Sequence, residues 1–326
     1  MQKITRRHAF KLAAATGVAS FAMPSIVRAQ SNQAIRIVYP YAGGSAVNNI
    51  IRMVAQSMSE TLGQSVIVED KPGGNGIVAT QTIARSPKDG LHILVGASGT
   101  LVLNSLLRND LPYKLEDFQP VGMMLERPLT VSVHASSPAT DMKSMLAWAK
   151  QRGQPMRYAT LGPGSVTHLF GVLLSKATGI NGVAVAYRNN NAQILDLLAQ
   201  QNELNFSTPA SLLEHQKAGT VKILAVTTEQ RMPLIKDVPT VVEAGYPQLV
   251  CSFWNSLMVP TGTPKDVIAK LNNALNIATQ KADIRSRMES EGLVAMSGPT
   301  TRVDDVMKRD LKLWGDIIRE EKISLQ

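Results

Sequence analysis

Short β-branched runs alternate along this chain with segments in which apolar residues recur at helical spacing. Residues 35–39 alternate apolar and polar side chains, which is typical of a strand. After a glycine-rich turn, apolar residues follow at positions 50, 51, 54, 55, 58 and 62, and this spacing predicts an amphipathic helix. Because strand–helix alternation packs helices against a sheet, we predict an α/β fold with largely parallel sheets.

The same alternation continues to the end of the chain and allows further elements to be placed. Strands are predicted at residues 65–69, 92–96, 129–133, 157–160, 183–187, 204–206 and 222–226. Helices are predicted at residues 77–85, 142–151, 166–178 and 192–200 and over most of 264–321. Proline-marked stretches at 127–128 and 258–264 are the places where we expect the chain to cross between domains.

Two glycine turns, one in each half of the chain, stand between a predicted strand and a predicted helix. Residues 39–45 read Tyr-Pro-Tyr-Ala-Gly-Gly-Ser, and residues 158–165 read Tyr-Ala-Thr-Leu-Gly-Pro-Gly-Ser. In each, glycine lets the backbone approach a ligand, serine caps a helix, and the helix N-terminus offers unpaired N–H donors. We predict two half-sites across a cleft for a small anion, in particular one with a carboxylate at each end; the alternative is that both serines only cap helices.

The positive charge of the chain is concentrated at its beginning. The 326 residues include 34 Lys and Arg against 25 Asp and Glu, a net charge of +9. Residues 1–29 hold five of the basic residues and no acid, with an uncharged stretch at 12–27, and are predicted to be a twin-arginine-like export signal cleaved near Ala29. Because of this signal we expect a periplasmic protein. Without residues 1–29 the net charge is +4, so we expect no nucleic-acid partner.

Several sharper motifs are incomplete. Residues 74–79 spell G-x-G-x-x-A, but they follow the second strand and lack the acidic partner of a dinucleotide site. Ser165 and His168 share a helix face but lack the third member of a triad, and the histidines are not spaced for zinc. The single cysteine, Cys251, stands in an apolar stretch and is predicted to be buried. We therefore expect no cofactor, no metal and no catalytic residues.

Motifs in a fixed order resemble those of the substrate-binding proteins of tripartite tricarboxylate transporters, the Bug or TctC-type family. The family's patterns P-[FY]-x-x-G-G-x-x-D, V-E-N-R-P-G-A-G-G, L-P-Y, D-F-x-P-V, G-x-G-S-x-x-H-L and D-V-P-T-x-x-E-A-G resemble residues 40–48, 68–76, 111–113, 117–121, 162–169 and 237–245. The resemblance covers nearly all of the chain after the export signal. It implies a two-domain, type II periplasmic-binding-protein fold, with residues 31–130 and 258–326 in domain one, 131–257 in domain two, and a ligand cleft between them.

The resemblance also implies which residues bind the ligand. In the family the carboxylate is held by the two glycine loops, and the matching positions here, with two neighbours, are Tyr41, Ala42, Gly43, Gly44, Ser45 and Asn48 in one loop and Gly162, Pro163, Gly164, Ser165, His168 and Arg188 in or near the other. His168 either braces its loop or contacts the ligand. Asn48 stands where the family pattern has Asp, and losing a carboxylate favours an anionic ligand.

The function implied is that of a monomeric receptor with no catalytic step. It captures a di- or tricarboxylate or an aromatic carboxylate and delivers it to integral-membrane transporter subunits. Arg188 is a candidate partner for a second carboxylate, although it is equally compatible with a surface position. The alternatives are a ligand sensor that presents its ligand to a membrane receptor and, third, an exported hydrolase.

Overall fold

The computed structural model describes residues 33–324; the predicted export signal, residues 1–29, lies outside the described residues. Ten strands are described in this part of the chain. They are β1 Ile35–Tyr39, β2 Val66–Asp70, β3 His92–Ala97, β4 Phe118–Pro128, β5 Thr130–His134, β6 Met156–Thr160, β7 Gly182–Ala186, β8 Val221–Val226, β9 Ser252–Pro260 and β10 Val294–Ala295.

Helices separate most of these strands. Within residues 33–324 they are α1 Ala46–Leu62, α2 Ile77–Ala84, α3 Asn104–Leu107, α4 Met142–Arg152, α5 Val166–Thr178, α6 Asn190–Leu198, α7 Pro209–Lys217, α8 Lys265–Gln280, α9 Ala282–Ser290 and α10 Thr301–Glu320, together with one π-helix, Ser98–Leu103, after β3. None of these helices combines the length and the apolar composition that a membrane span requires.

The larger sheet has six strands in the order β10-β4-β9-β3-β1-β2. β1 runs parallel to both β2 and β3, so the loops that follow these three strands lie at one edge of the sheet. β9 runs antiparallel to β3 and to β4 and joins the parallel part of the sheet to β4. The chain therefore places the loop after β1 beside the π-helix after β3.

The second group of strands lies between β4 and β9 in the sequence. β6 and β7 form a parallel pair, and β5 and β8 form an antiparallel pair. Single bridges from Leu204 to Tyr158 and from Asn205 to Ser132 connect the two pairs, in the segment where the sequence predicts a strand. Because β6 and β7 are parallel, the loops that follow them lie at the same edge of this pair.

Helix α1 shows how the local sequence produces these units. Its buried residues include Val47, Ile50, Ile51, Val54 and Met58, which lie three or four positions apart and pack on the six-stranded sheet together with α8. Ser45 caps its first turn, and Gly63, at φ 63°, ends it in the left-handed conformation. The helix thus begins directly at the glycine turn that the sequence analysis singled out.

A buried polar contact attaches the C-terminal helix to the sheet. The indole Nε1 of Trp254, on β9, donates a hydrogen bond of 2.8 Å to Oδ2 of Asp310, on α10. Both side chains are buried, and Arg309 pairs with the other carboxylate oxygen of Asp310. Cys251, just before β9, is buried and free, as the sequence analysis predicted.

The structure corrects the expected strand directions. Of the strand pairs in the described residues, three are parallel and four are antiparallel, so the prediction of largely parallel sheets is wrong. The sequence analysis missed β4 and β9, which pair over most of their length and add antiparallel contacts. Both are buried along most of their length, so they lack the alternation that marks a half-exposed strand.

Candidate functional site

The loop between β1 and α1 presents a helix N-terminus to solvent. Residues 42–45 are exposed, and Gly44 has φ 87°, a conformation that favours glycine. The Ser45 hydroxyl accepts a hydrogen bond of 3.1 Å from the backbone N–H of Asn48. The N–H groups of Ala46 and Val47, in the first turn, have no acceptor among the described residues. This loop therefore offers free donors beside the positive end of the α1 dipole.

The predicted site residue Asn48 is buried in a network with two charged residues. Its Nδ2 donates to Oδ1 of Asp70 at 2.7 Å, while its Oδ1 accepts from Nε of Arg52 at 3.1 Å. Arg52 closes the network by pairing with Oδ2 of Asp70 at 2.8 Å. The amide of Gly44 also points at Asn48 Oδ1, at 3.4 Å. Asn48 thus fixes the loop, and its polar atoms are already engaged.

This network corrects one argument about the ligand. The family patterns that the chain resembles have Asp at the position of Asn48 and Asn at the position of Asp70, so this chain carries the two side chains exchanged. A carboxylate is therefore still present beside the loop. It belongs to Asp70, which accepts the hydrogen bond from Asn48 and pairs with Arg52. A preference for anionic ligands has to rest on other groups.

The loop between β6 and α5 is built in the same way. Gly162 and Gly164 have φ 101° and 70°, and the hydroxyl of Ser165 caps α5 by accepting from the N–H of His168 at 3.3 Å. The first-turn N–H groups of Val166 and Thr167 have no acceptor among the described residues. In residues 33–324 no hydrogen bond or ion pair joins this loop to the loop after β1.

The His168 side chain braces its own loop. Its Nδ1 accepts a hydrogen bond of 3.2 Å from the N–H of Gly164. Burial lowers the pKa of His168, so the ring is neutral at pH 7. Because Nδ1 is an acceptor, the proton is assigned to Nε2. His168 thus braces its loop through Nδ1, and its Nε2–H stays available to donate to a ligand.

Arg188 lies in the loop after β7, at the same edge as the second glycine loop. The neighbouring Tyr187 donates its backbone N–H to the carbonyl of Thr160 at 2.8 Å, which places the two loops side by side. The Arg188 residue is exposed and forms no ion pair within the described part of the chain. Its contact with a ligand stays a prediction.

A third segment, the π-helix Ser98–Leu103 that follows β3, borders the first loop. It begins after β3 with Ser98, whose hydroxyl is buried and has no hydrogen-bond partner. A Cβ on the next residue, Gly99, would lie 3.4 Å from the hydroxyl of Tyr41. The sequence reads Ala-Ser-Gly-Thr at the end of this buried strand, and only the pairing of β3 with β1 shows the relation of the segment to Tyr41.

No cluster of His, Cys, Asp and Glu in residues 33–324 has the arrangement of a metal site. Two cavities lie away from the glycine loops. One, of about 250 Å³, is lined by α4 and by the turn after α5, and the other, of about 590 Å³, lies between α10 and the segment after β8. The glycine loops themselves offer neutral N–H donors at two helix N-termini, and such donors suit an anion.

Comparison with known proteins shows the family of this chain. Residues 50–323 match the model of the tripartite tricarboxylate transporter family receptor. A UPF0065 protein from the tcbD-tcbE intergenic region of Pseudomonas sp. strain P51 is 30% identical over 94% of both chains. The protein BugT of Bordetella pertussis is 27% identical over 90% of both chains.

Solved structures show the same fold. A periplasmic transporter, 31% identical, aligns over 94% of this chain and 100% of its own with a TM-score of 0.75. Rpa4515 of R. palustris with adipate is 26% identical, with coverage of 90% and 98% and a TM-score of 0.74. MatC of Rhodopseudomonas palustris with bound malate is 25% identical, with coverage of 88% and 99% and a TM-score of 0.69. The chain therefore has the two-domain periplasmic-binding-protein fold and belongs to the tripartite tricarboxylate transporter receptor family, a family of periplasmic solute receptors.

Proposed function

We propose that this protein captures a small carboxylate between the loops that precede α1 and α5 and delivers it to the membrane subunits of a tripartite transporter. The observation that carries the proposal is the pair of serine-capped helix N-termini, each with two unpaired N–H groups and a glycine turn before it. Two such termini can hold a carboxylate with neutral donors whose orientation is fixed before the ligand arrives.

The ligand class is supported by the bound ligands of two related structures, malate and adipate. Both are dicarboxylates, and this agrees with a site whose helix termini offer donors to a carboxylate. We propose domain one as residues 31–130 and 258–326 and domain two as 131–257, closing about the strands that connect them. Closure would bring Gly44 and Gly164 to opposite sides of the ligand.

The hydrolase alternative has little support at this site. A serine nucleophile needs a base whose ring nitrogen accepts its proton. Here Ser165 accepts from the backbone N–H of His168, and the His168 Nδ1 accepts from Gly164. Within residues 33–324 no hydrogen bond links the imidazole to the Ser165 hydroxyl, so both side chains serve to shape the loop.

A thermal-unfolding screen tests the proposed ligand class. Malate, succinate and adipate are compared with their uncharged diamides at the same concentration. A ligand at one hundred times its Kd stabilises the folded state by about 2.7 kcal/mol, which is a readily measured rise in Tm. We expect the dicarboxylates to raise Tm and the diamides to leave it unchanged. If no carboxylate among the probes shifts the transition, the proposed ligand class is wrong.

A pair of substitutions tests the first loop. A Cβ at Gly44 would meet no atom within 4 Å, so Gly44→Asp adds a negative charge without a clash. Gly44→Asn is its uncharged match, and both residues tolerate a positive φ better than others do. We expect Gly44→Asp to bind the ligand at least about tenfold more weakly than Gly44→Asn, because its carboxylate repels the bound anion. Equal affinities would place the ligand elsewhere.

Delivery is tested separately from binding. Cells that lack the gene are compared with complemented cells for uptake of the radiolabelled ligand found in the screen. Loss of uptake supports the transport role, whereas normal uptake combined with a lost transcriptional response to the same ligand would favour the sensor.

A further inference from the structure

Arg127 lies at the edge of the six-stranded sheet where the ligand loops begin. On β4 it pairs with Phe253 of β9, two residues beyond the point where Asn255 pairs with Ala97 at the end of β3. Ala97 directly precedes the π-helix Ser98–Leu103, in which Gly99 lies against Tyr41. Strand register alone therefore brings Arg127 to the level of the loops that follow β1 and β3.

The side chain of Arg127 faces the side of the sheet that carries the first loop. Its neighbour Glu126 lines the cavity beside α10, where Arg309 also lies. Successive residues of a strand point to opposite faces, so Arg127 points away from α10. Tyr39 and Tyr41 pack on that opposite side. Burial lowers the pKa of Arg127, and the phenol groups of Tyr41 and Tyr39 oppose part of this effect.

The guanidinium of Arg127 has no anionic partner in the described part of the chain. No carboxylate within residues 33–324 forms an ion pair with it, and its Nε is buried without a hydrogen-bond acceptor. The guanidinium stacks over the ring of Phe253, whose centroid is 5.5 Å from the guanidinium carbon. A guanidinium stays charged, and leaving the buried Nε–H unpaired costs stability unless an acceptor arrives to pair with it.

We propose that Arg127 pairs with the second carboxylate of a dicarboxylate ligand whose first carboxylate lies at the glycine-loop N-termini. This inference rests on the proposed function and names the residue that distinguishes dicarboxylates from monocarboxylates. The planar guanidinium can form two parallel hydrogen bonds to a carboxylate, which fixes both its position and its orientation. The partly buried place of Arg127, next to Tyr41, strengthens that pairing relative to water.

Matched acid pairs measure this discrimination by calorimetry on the purified protein. Succinate, glutarate and adipate are compared with butyrate, valerate and hexanoate, which have the same chain lengths but one carboxylate. In the wild type we expect one dicarboxylate to bind at least about tenfold more tightly than its monocarboxylate partner. Arg127→Gln should weaken the binding of that dicarboxylate by about 10- to 100-fold. The affinity for the matching monocarboxylate should change by less than about twofold. Arg127→Lys should recover part of the difference, because it keeps the charge without the planar fork.

Stability of the ligand-free protein separates ligand pairing from a structural role. Arg127→Met keeps the length that packs on Phe253 and removes the unpaired charge, so Tm without ligand should stay the same or rise. Arg85→Gln, which removes one positive charge from an exposed position after α2, should change neither affinity nor discrimination. A lower ligand-free Tm in Arg127→Met together with unchanged discrimination would show that Arg127 is structural.

Three other outcomes also overturn the proposal. If Arg188→Gln abolishes the preference for the dicarboxylate while Arg127→Gln preserves it, the second carboxylate lies at the β7 loop. If the wild type binds mono- and dicarboxylates equally, the proposed function stands and the role of Arg127 is refuted. If the wild type binds none of the six acids, the proposed ligand class fails together with this inference.

Discussion

The exchanged pair Asn48 and Asp70 allows a stringent test of how the first loop is held. In Asn48→Asp the 2.7 Å hydrogen bond from Nδ2 to Asp70 is replaced by two facing carboxylates at a position where residue 48 is only 1% exposed. With the charge centres about 4 Å apart and an effective dielectric constant of about 20, their repulsion is about 4 kcal/mol. Arg52, which contacts both side chains, offsets part of it, so we expect a loss of about 2 kcal/mol in the free energy of unfolding at pH 7.

Urea denaturation of four proteins measures this coupling: the wild type, Asn48→Asp, Asp70→Asn and the double exchange. The double variant restores one donor facing one carboxylate, so its stability should return to within about 1 kcal/mol of the wild type. The deficit of Asn48→Asp should also shrink as the pH falls towards 4, because one carboxyl of a crowded pair takes up a proton and then donates a hydrogen bond. A double variant as unstable as Asn48→Asp, or a deficit that does not depend on pH, would refute the network as described.

Three further predictions concern the second lobe and the strand connection. Burial lowers the pKa of His168 in the folded state, so its contribution to stability is complete above pH 6.5 and is lost as the pH falls through the folded-state pKa. His168→Asn, whose Oδ1 can replace Nδ1, should lose this dependence in a Tm series from pH 8 to 5. Burial acts to raise the pKa of Glu203, but Arg157 and Arg152 lower it overall, so its ion pairs contribute stability above about pH 4.3 that is lost in acid. In urea titrations Glu203→Gln should lower the free energy of unfolding by about 3 kcal/mol at pH 7 and by less near pH 3. Burial raises the pKa of the Cys251 thiol to about 12, so a thiol reagent at pH 8 should label the native protein only after denaturant is added; rapid native labelling would show that the segment before β9 opens.

Local patterns predicted much of the chain correctly. β1, β2, β3, β6, β7 and β8, and helices α1, α4, α5 and α6, lie close to their predicted positions because their apolar spacing and glycine or serine boundaries are properties of neighbouring residues. Helix α7 was missed because few of its residues, among them Pro209 and Leu212, are buried, so its apolar pattern is weak. β4 contains prolines and two register shifts, and its proline-marked end was interpreted as a crossing point between domains.

The two glycine loops were identifiable from the sequence because a strand, a glycine turn, a serine cap and an amphipathic helix follow one another within about ten residues. The groups that distinguish this site from others of its kind were not. Asn48 and Asp70 are 22 positions apart, and Arg127 reaches the first loop only because β9 inserts between β3 and β4. Sequence by itself determined where backbone donors are offered, because helix capping depends on neighbouring residues. Only the tertiary structure decided which charged side chains lie beside these donors, because that depends on strand pairing between distant segments.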